Sequence, residues 1–248
     1  MSEQLPFPLN TCEPALKELI LPRQPFNSAG GWENIYDVWT SPLPAILYKV
    51  GTLKIRRVND GEKIRIDLNY EKFLEDSKGD SGYMQYVTAE MLCENDKLAT
   101  PLEWVFESKI LTPDKKPVDK CRIKKKGTVS KDNLETRSAG IKQTVKFSGP
   151  CACSWALFDA VQRLSPDSFQ TADFTLFDHF DQVKPEQKLS FRETAEVSFE
   201  NGQNAVLNIY DQIGRGVVPL SYFVLKDGPL IALVSGLELY IRKEASNV

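Results

Sequence analysis

The sequence predicts a mainly β fold: one curved antiparallel sheet, or half-barrel, wrapped around a single helix, with a short helical arm at the N-terminus. Three observations predict it. Alternating apolar and polar residues recur along most of the chain. Turn-forming pairs built on Asn-Gly and Asp-Gly separate these runs at short intervals. A sustained helical period occurs once, over residues 151–164.

Composition sets the frame. The chain has 248 residues, of which 42% are hydrophobic and 26% charged, enough to build a sizeable core without disulfide staples. A net charge of −3, from 31 basic and 34 acidic residues, excludes general attraction to nucleic acid. No apolar run approaches the roughly 18–20 residues of a membrane-spanning helix. The first residues, MSEQLPFPLNTCEPALKELILP, lack a basic n-region and a long apolar h-region. As written the chain is expected in the cytoplasm, or in the periplasm or outside the cell if a signal has been removed. Five cysteines, an odd number at low density, argue against a disulfide framework.

Residues 1–30 read as an arm punctuated by Pro6, Pro8, Pro14, Pro22 and Pro25. Within it TCEPALKELI predicts two helical turns, with Thr11 as N-cap and Glu13 in the first turn. Residues 31–248 read as a single antiparallel β domain.

Strand texture begins at Trp32. Asn59-Asp60-Gly61 separates two alternating segments, and in the second Ile64, Ile66 and Leu68 alternate with Arg65, Asp67 and Asn69. That pattern gives a hairpin with one face in a core and the other in water. A polar turn at Glu94–Lys97 joins the next two strands, and Pro101 marks a strand start or an edge. The stretch TPDKKPVDK, residues 112–120, reads as an exposed loop, and RIKKKGTVSKDNLETRSAGIKQTVKF as a further pair of strands with a basic surface. Asn201-Gly202 is the strongest hairpin signal, and Asp227-Gly228 marks another.

The segment GPCACSWALFDAVQRL supplies the helix. Trp155, Phe158, Val161 and Gln162, with Leu157, Val161 and Leu164, define one apolar face. Ser148 or Gly149 caps it, Pro150 suits its first turn and Pro166 ends it. Cys151 and Cys153 then fall in the first turn and diverge by about 200°. That spacing suits neither a shared metal nor a bridge. They are expected as small buried residues where helix meets sheet.

Candidate chemistry is sparse. The run FDHFDQ brings together Asp178, His179 and Asp181, a conceivable general base with orienting carboxylates. His179 is the only histidine, so mechanisms that need two imidazoles are excluded. No phosphate-binding loop and no G-x-S-x-G elbow is present. Gly214 to Gly216 reads as a turn between strands. Glu90, Glu103, Glu107, Glu193, Glu196 and Glu238 fall in strand-like segments, where paired carboxylates could act on a sugar. The basic run Lys124–Lys126 reads as a solvated strand edge. No metal and no cofactor is expected. Among the strand and helix aromatics, Trp39, Tyr86, Trp104, Trp155 and Tyr222 are the candidates to line a ligand cavity.

Four stretches carry a family resemblance: CENDKLATPLEW (93–104), ETRSAG (135–140), SWALFDAVQRL (154–164) and VVPLSYFVLKDGPLIALVSGLELYIRK (217–243). In them the chain resembles a group of uncharacterised bacterial β-rich proteins, many of them exported. The resemblance implies a curved antiparallel sheet around a helix, similar to the half-barrel of the periplasmic lipoprotein carriers, which holds acyl chains. No functional residue travels with it.

The expected function is therefore non-enzymatic binding or carriage of a hydrophobic or amphiphilic small molecule. The alternatives are a carboxylate-dependent enzyme acting on a carbohydrate or small metabolite, and a protein-interaction module that uses an open sheet edge. The sequence leaves the oligomeric state open.

Overall fold

Fifteen strands form one sheet in the computed structural model, which describes residues 5–22, 25–43, 46–74, 82–178, 180 and 182–247. The first half is a meander. β1 (Trp32–Leu43), β2 (Ile46–Asp60), β3 (Lys63–Leu74), β4 (Tyr83–Glu94) and β5 (Pro101–Leu111) pair antiparallel in order. They are followed by β6 (Pro117–Ser130), β7 (Asn133–Ser138) and β8 (Ile141–Lys146). β9 (Cys151–Cys153) and β10 (Thr171–Asp178) pair in parallel. A second antiparallel meander then runs through β11 (Gln182–Ser198), β12 (Asn204–Gly214), β13 (Leu220–Leu225), β14 (Leu230–Ser235) and β15 (Glu238–Asn247). β15 returns to pair with β1, so the free edges are β8 and β9.

The expected turns are where the sequence places them. Asp60 pairs with Lys63 around Gly61, whose φ of 62° lies in the left-handed region that glycine enters at no steric cost. Ser198 faces Asn204 across the Asn201-Gly202 turn. Pro101 opens β5. Two readings are corrected. The basic stretch makes three strands, because Ala139 and Gly140 both adopt positive φ and turn β7 into β8. The loop expected over 112–120 closes by residue 116, where Lys115 and Lys116 fold back on Thr112, and Pro117 already pairs with Leu111.

Chain connectivity dictates the curvature. Laid flat, the sheet would be about 65–70 Å wide at ~4.8 Å per strand. Only residues 147–150 join β8 to β9, a reach of at most about 18 Å. The sheet therefore curls on itself and stays open. β9 comes to rest against the start of β5, where Thr100 Oγ1 donates to the Cys151 carbonyl at 3.2 Å. Nearby, Phe180 stacks on Trp104 at 5.7 Å and leans on Phe106 at 5.5 Å. Strands β6–β8 continue past this seam as a wing, and every residue of β8 is exposed.

The helix expected over 151–164 is corrected. Residues Cys151 to Cys153 are a strand, pairing with Thr175, Leu176 and Phe177. The α-helix α2 covers only Leu157–Ala160 and passes into a 3-10 turn at Val161–Arg163. The parallel register with β10 outweighs local helix preference in these three residues. The segment 154–170 thus crosses between two parallel strands and lies inside the curled sheet as a plug. All of α2 is buried.

Two cores result. The inner one gathers Trp32, Tyr36, Leu53, Ile66, Met91 and Trp104 around the plug residues Trp155, Leu157, Phe158 and Val161. The outer one lies on the other face of β11–β15, where Leu207, Ile209, Phe223, Ile231 and Ile241 meet the N-terminal arm. The arm is a 3-10 turn at Leu9–Cys12 followed by α1 (Glu13–Leu16), and it buries Leu9, Cys12, Ala15, Leu16 and Leu19. Thr11 lies inside the 3-10 turn, and its hydroxyl donates to the Pro8 carbonyl at 2.7 Å. Among the described residues no helix is long and apolar enough to cross a membrane.

Candidate ligand cavity

The plug is fixed by polar contacts at one end of the curled sheet. Arg57, on β2, donates from Nη1 to the carbonyls of Ser28 and Gly30 at 2.9 and 2.7 Å, and from Nη2 to Asn95 Oδ1 at 3.0 Å. Its Nε lies 3.1 Å from Asp159 Oδ1 on α2. Asp159 also accepts from Arg163 Nε at 2.8 Å, and Arg163 Nη2 donates to the Asp96 carbonyl at 2.7 Å. Gln162, read from sequence as part of an apolar face, is a hydrogen-bond hub. Its Oε1 accepts from Asn34 Nδ2 and from the Leu230 N–H, both at 3.0 Å, and its Nε2 donates to the Phe158 carbonyl at 2.6 Å.

At the opposite end the sheet encloses a cavity of about 510 Å³. Trp155 and Phe158 of the plug form its floor, their rings stacked at 6.1 Å. Phe158 makes edge contacts with Tyr36 at 5.4 Å and Tyr240 at 5.5 Å, and Trp155 leans on Tyr70 at 5.9 Å. Val87 and Phe106 form the wall on one side, and Leu176, Tyr222 and Leu233 form it on the other. The cavity is thus built by residues from both meanders.

The charged groups on the wall are paired. Lys72 Nζ meets Glu238 Oε1 at 2.5 Å, and Tyr240 donates its hydroxyl to Glu238 Oε2 at 2.7 Å. Lys184 meets Asp178 Oδ2 at 2.5 Å. Tyr222 donates to Gln212 Oε1 at 2.8 Å. Burial raises the phenol pKa of Tyr70, Tyr222 and Tyr240, and the Glu238 carboxylate raises those of Tyr70 and Tyr240 further. These phenols stay protonated, and Tyr222 and Tyr240 act as hydrogen-bond donors. Two ion pairs, neutral in sum, therefore border an aromatic pocket.

The five aromatics singled out from sequence are distributed over both faces. Trp155 and Tyr222 line the cavity. Trp104 is buried beside Phe180 and faces Gly127 across the strand pair, where an added Cβ would lie 2.1 Å from its ring. Trp39 packs against the outer core. Tyr86 is on the face opposite Val87, under Lys109 Nζ at 5.9 Å. Asp178 is on the cavity wall, whereas His179 and Asp181 lie outside the described residues. Of the strand carboxylates, Glu238 reaches the cavity. Glu90 and Glu103 border a shallow trough on the outer wall, and Glu107 is held by Arg122 and Lys124. Lys72 and Glu238 were not paired by sequence reasoning, because the contact depends on β15 returning to the middle of the sheet.

The cysteine pair takes no part in the cavity. Burial pushes the Cys151 and Cys153 thiols up to about 12, and Cys93 is raised by the same cause. Protonated at neutral pH, they are poor nucleophiles and poor metal ligands. Among the described residues, no three His, Cys, Asp or Glu side chains are grouped to hold a metal ion.

Comparison with known proteins gives a fold likeness. No protein-family model matches the sequence, and no curated protein matches it. The structure is similar to the crystal structure of a β-barrel-like protein of a domain of unknown function, DUF1849, from Brucella abortus. The TM-score is 0.59 at 10% identity, over 88% of this chain and 98% of that one.

Proposed function

We propose that this protein binds and carries a hydrophobic or amphiphilic small molecule in the cavity between the plug and the curled sheet. The observation that carries the reading is a cavity of about 510 Å³, floored by Trp155 and Phe158 and open at one end. Its size falls in the range of small-molecule sites, and its apolar floor with a few polar groups on the wall is their usual construction. Trp155 and Tyr222 are the proposed contacts for the apolar part of the ligand. The pairs Lys72–Glu238 and Lys184–Asp178 lie where a polar head group would sit.

A carboxylate-dependent reaction is the second reading, favoured by Asp178 and Glu238 sharing one cavity. Each carboxylate is held by a lysine, an arrangement that keeps charge in place more readily than it moves a proton.

Native mass spectrometry of the protein from its own source, followed by organic extraction, tests the carrier reading. A stoichiometric apolar or amphiphilic molecule is expected. An apo mass, together with no uptake of a single-chain lysolipid, would overturn it.

A further inference from the structure

The apolar surface of this protein is unevenly placed. Twelve large hydrophobic side chains are exposed among the described residues, and two of them, Val218 and Leu237, line the cavity at its mouth. Strand register places several of the others. Tyr48 pairs with Thr40, which also faces Glu238 of the cavity wall. Tyr83 opens β4 on the same face as Gln85 and Val87, whereas Phe73 and Ile213, one residue out of step with Lys72 and Gln212, lie on the outer face. Val218 and Leu237 line the cavity, yet remain 44% and 62% exposed. A Cβ added at Gly236 would touch Val218 Cγ1 at 3.1 Å, so the two loops meet. They form a lip whose apolar side chains, Val218 and Leu237, also line the cavity.

Charge follows the same plan. Between Gln212 and Leu225 the sequence carries one charged residue, Arg215. Arg215 is exposed, and its guanidinium has no ion-pair partner among the described residues. Exposed aliphatic residues beside tyrosines and a free arginine suit the interface of a bilayer, where apolar groups enter the acyl boundary and the cation meets phosphate. Apolar side chains left this exposed at the mouth of a cavity mark an interaction site more often than a surface that meets only water.

We propose that the mouth rim, led by Val218, Leu237 and Arg215, docks on a lipid surface bearing anionic phosphates. An amphiphile then passes between bilayer and cavity without crossing water. The inference rests on the carrier reading.

Co-sedimentation with phosphatidylcholine vesicles, with and without phosphatidylglycerol, tests it. Binding of a single-chain lysolipid below its micelle concentration, with no vesicles present, is measured in parallel. The wild type is expected to bind vesicles, more strongly when phosphatidylglycerol is present. The double variant V218S/L237S should partition about tenfold less, because two apolar contacts are lost. R215A should lose the preference for phosphatidylglycerol. V105S, which removes an exposed apolar residue far from the mouth, should leave binding unchanged. R215A, which lies outside the cavity lining, should still take up the soluble lysolipid.

Lysolipid uptake without vesicle binding would overturn the docking inference and leave the carrier reading intact. Vesicle binding without lysolipid uptake would overturn the carrier reading, and the loading role with it. Equal losses in V105S and the rim variants would overturn the assignment of the lip. Self-association that hides the rim, with no vesicle binding, would make the rim a contact between copies and would also overturn it.

Discussion

Arg57 on β2 and Asp159 on α2 meet at 3.1 Å with neither side chain exposed to solvent. The pair ties the plug to the sheet at the end opposite the cavity. It also places two unlike charges where their partners have no substitute in water. Asp159→Ala leaves the Arg57 guanidinium buried without its counter-charge, and a loss of about 3–5 kcal/mol is expected. Urea unfolding measures it. The double substitution Arg57→Met, Asp159→Leu should recover part of the loss, since Arg57 is no longer stranded and only Arg163, at the edge of the site, still lacks its partner. A double variant as unstable as D159A would refute this account.

Gly127 lies against the Trp104 ring with no room for a side chain. Gly127→Ala should force the indole aside and cost about 1–3 kcal/mol by overpacking. The Trp104–Phe180 stack at the seam should loosen with it, visible as a red-shifted tryptophan emission. An unchanged unfolding midpoint would show that the ring gives way freely.

Val87 and Tyr86 are neighbours on opposite faces of β4. Val87→Phe projects into the cavity and should weaken lysolipid binding about tenfold, at little cost in thermal midpoint. Tyr86→Phe should bind as the wild type does, because the lost hydroxyl touches only Met84 Sδ at 3.6 Å. Fluorescence titration distinguishes the two. Equal affinity in V87F would place the ligand elsewhere.

The buried thiols predict an alkaline limit. Cys151 and Cys153 keep their protons in the folded state up to about 12, whereas an unfolded thiol loses its proton near about 8.5. Between these values the unfolded chain binds fewer protons, so stability falls as pH rises. It is fully present below about pH 8.5 and declines toward about pH 12. Unfolding midpoints compared near about pH 7 and about pH 10 should drop less in Cys153→Ala than in the wild type. An equal drop would assign the limit to other groups.

What the sequence made legible is local. Asn59-Asp60-Gly61 and Asn201-Gly202 mark hairpins, because their backbone demands fall on residues that meet them. The Ile64, Ile66, Leu68 alternation gives the inner face of β3 directly. The cysteine strand was not legible: three residues hold no period, and their pairing partner Thr175 lies beyond the whole plug. The helix was overextended for the same reason, since local apolar spacing over 151–164 is satisfied equally by a strand, one short helix and a turn. Of the cavity, Trp155 and Tyr222 could be nominated as aromatics, but which strand face each aromatic takes depends on register. That is why Trp39 and Tyr86 point away. The Lys72–Glu238 pair needs β1 and β15 side by side, and no local signal encodes that.

The sheet order has a consequence for how the chain is assembled. Each half, β1–β8 and β10–β15, is a meander whose strands pair with their sequence neighbours. The single strand pairing between halves is β1 with β15, joining residues roughly 200 positions apart, which carries the largest loop-closure cost and belongs late in folding. A circular permutant that opens at residues 147–150 and links the present ends would join β15 to β1 through the N-terminal arm alone, so that seam would close a far shorter loop. Its strands would then run β9 to β15 and β1 to β8 in spatial order, with the same contacts and a much lower contact order. Such a chain should fold faster than the natural one while keeping the same cavity.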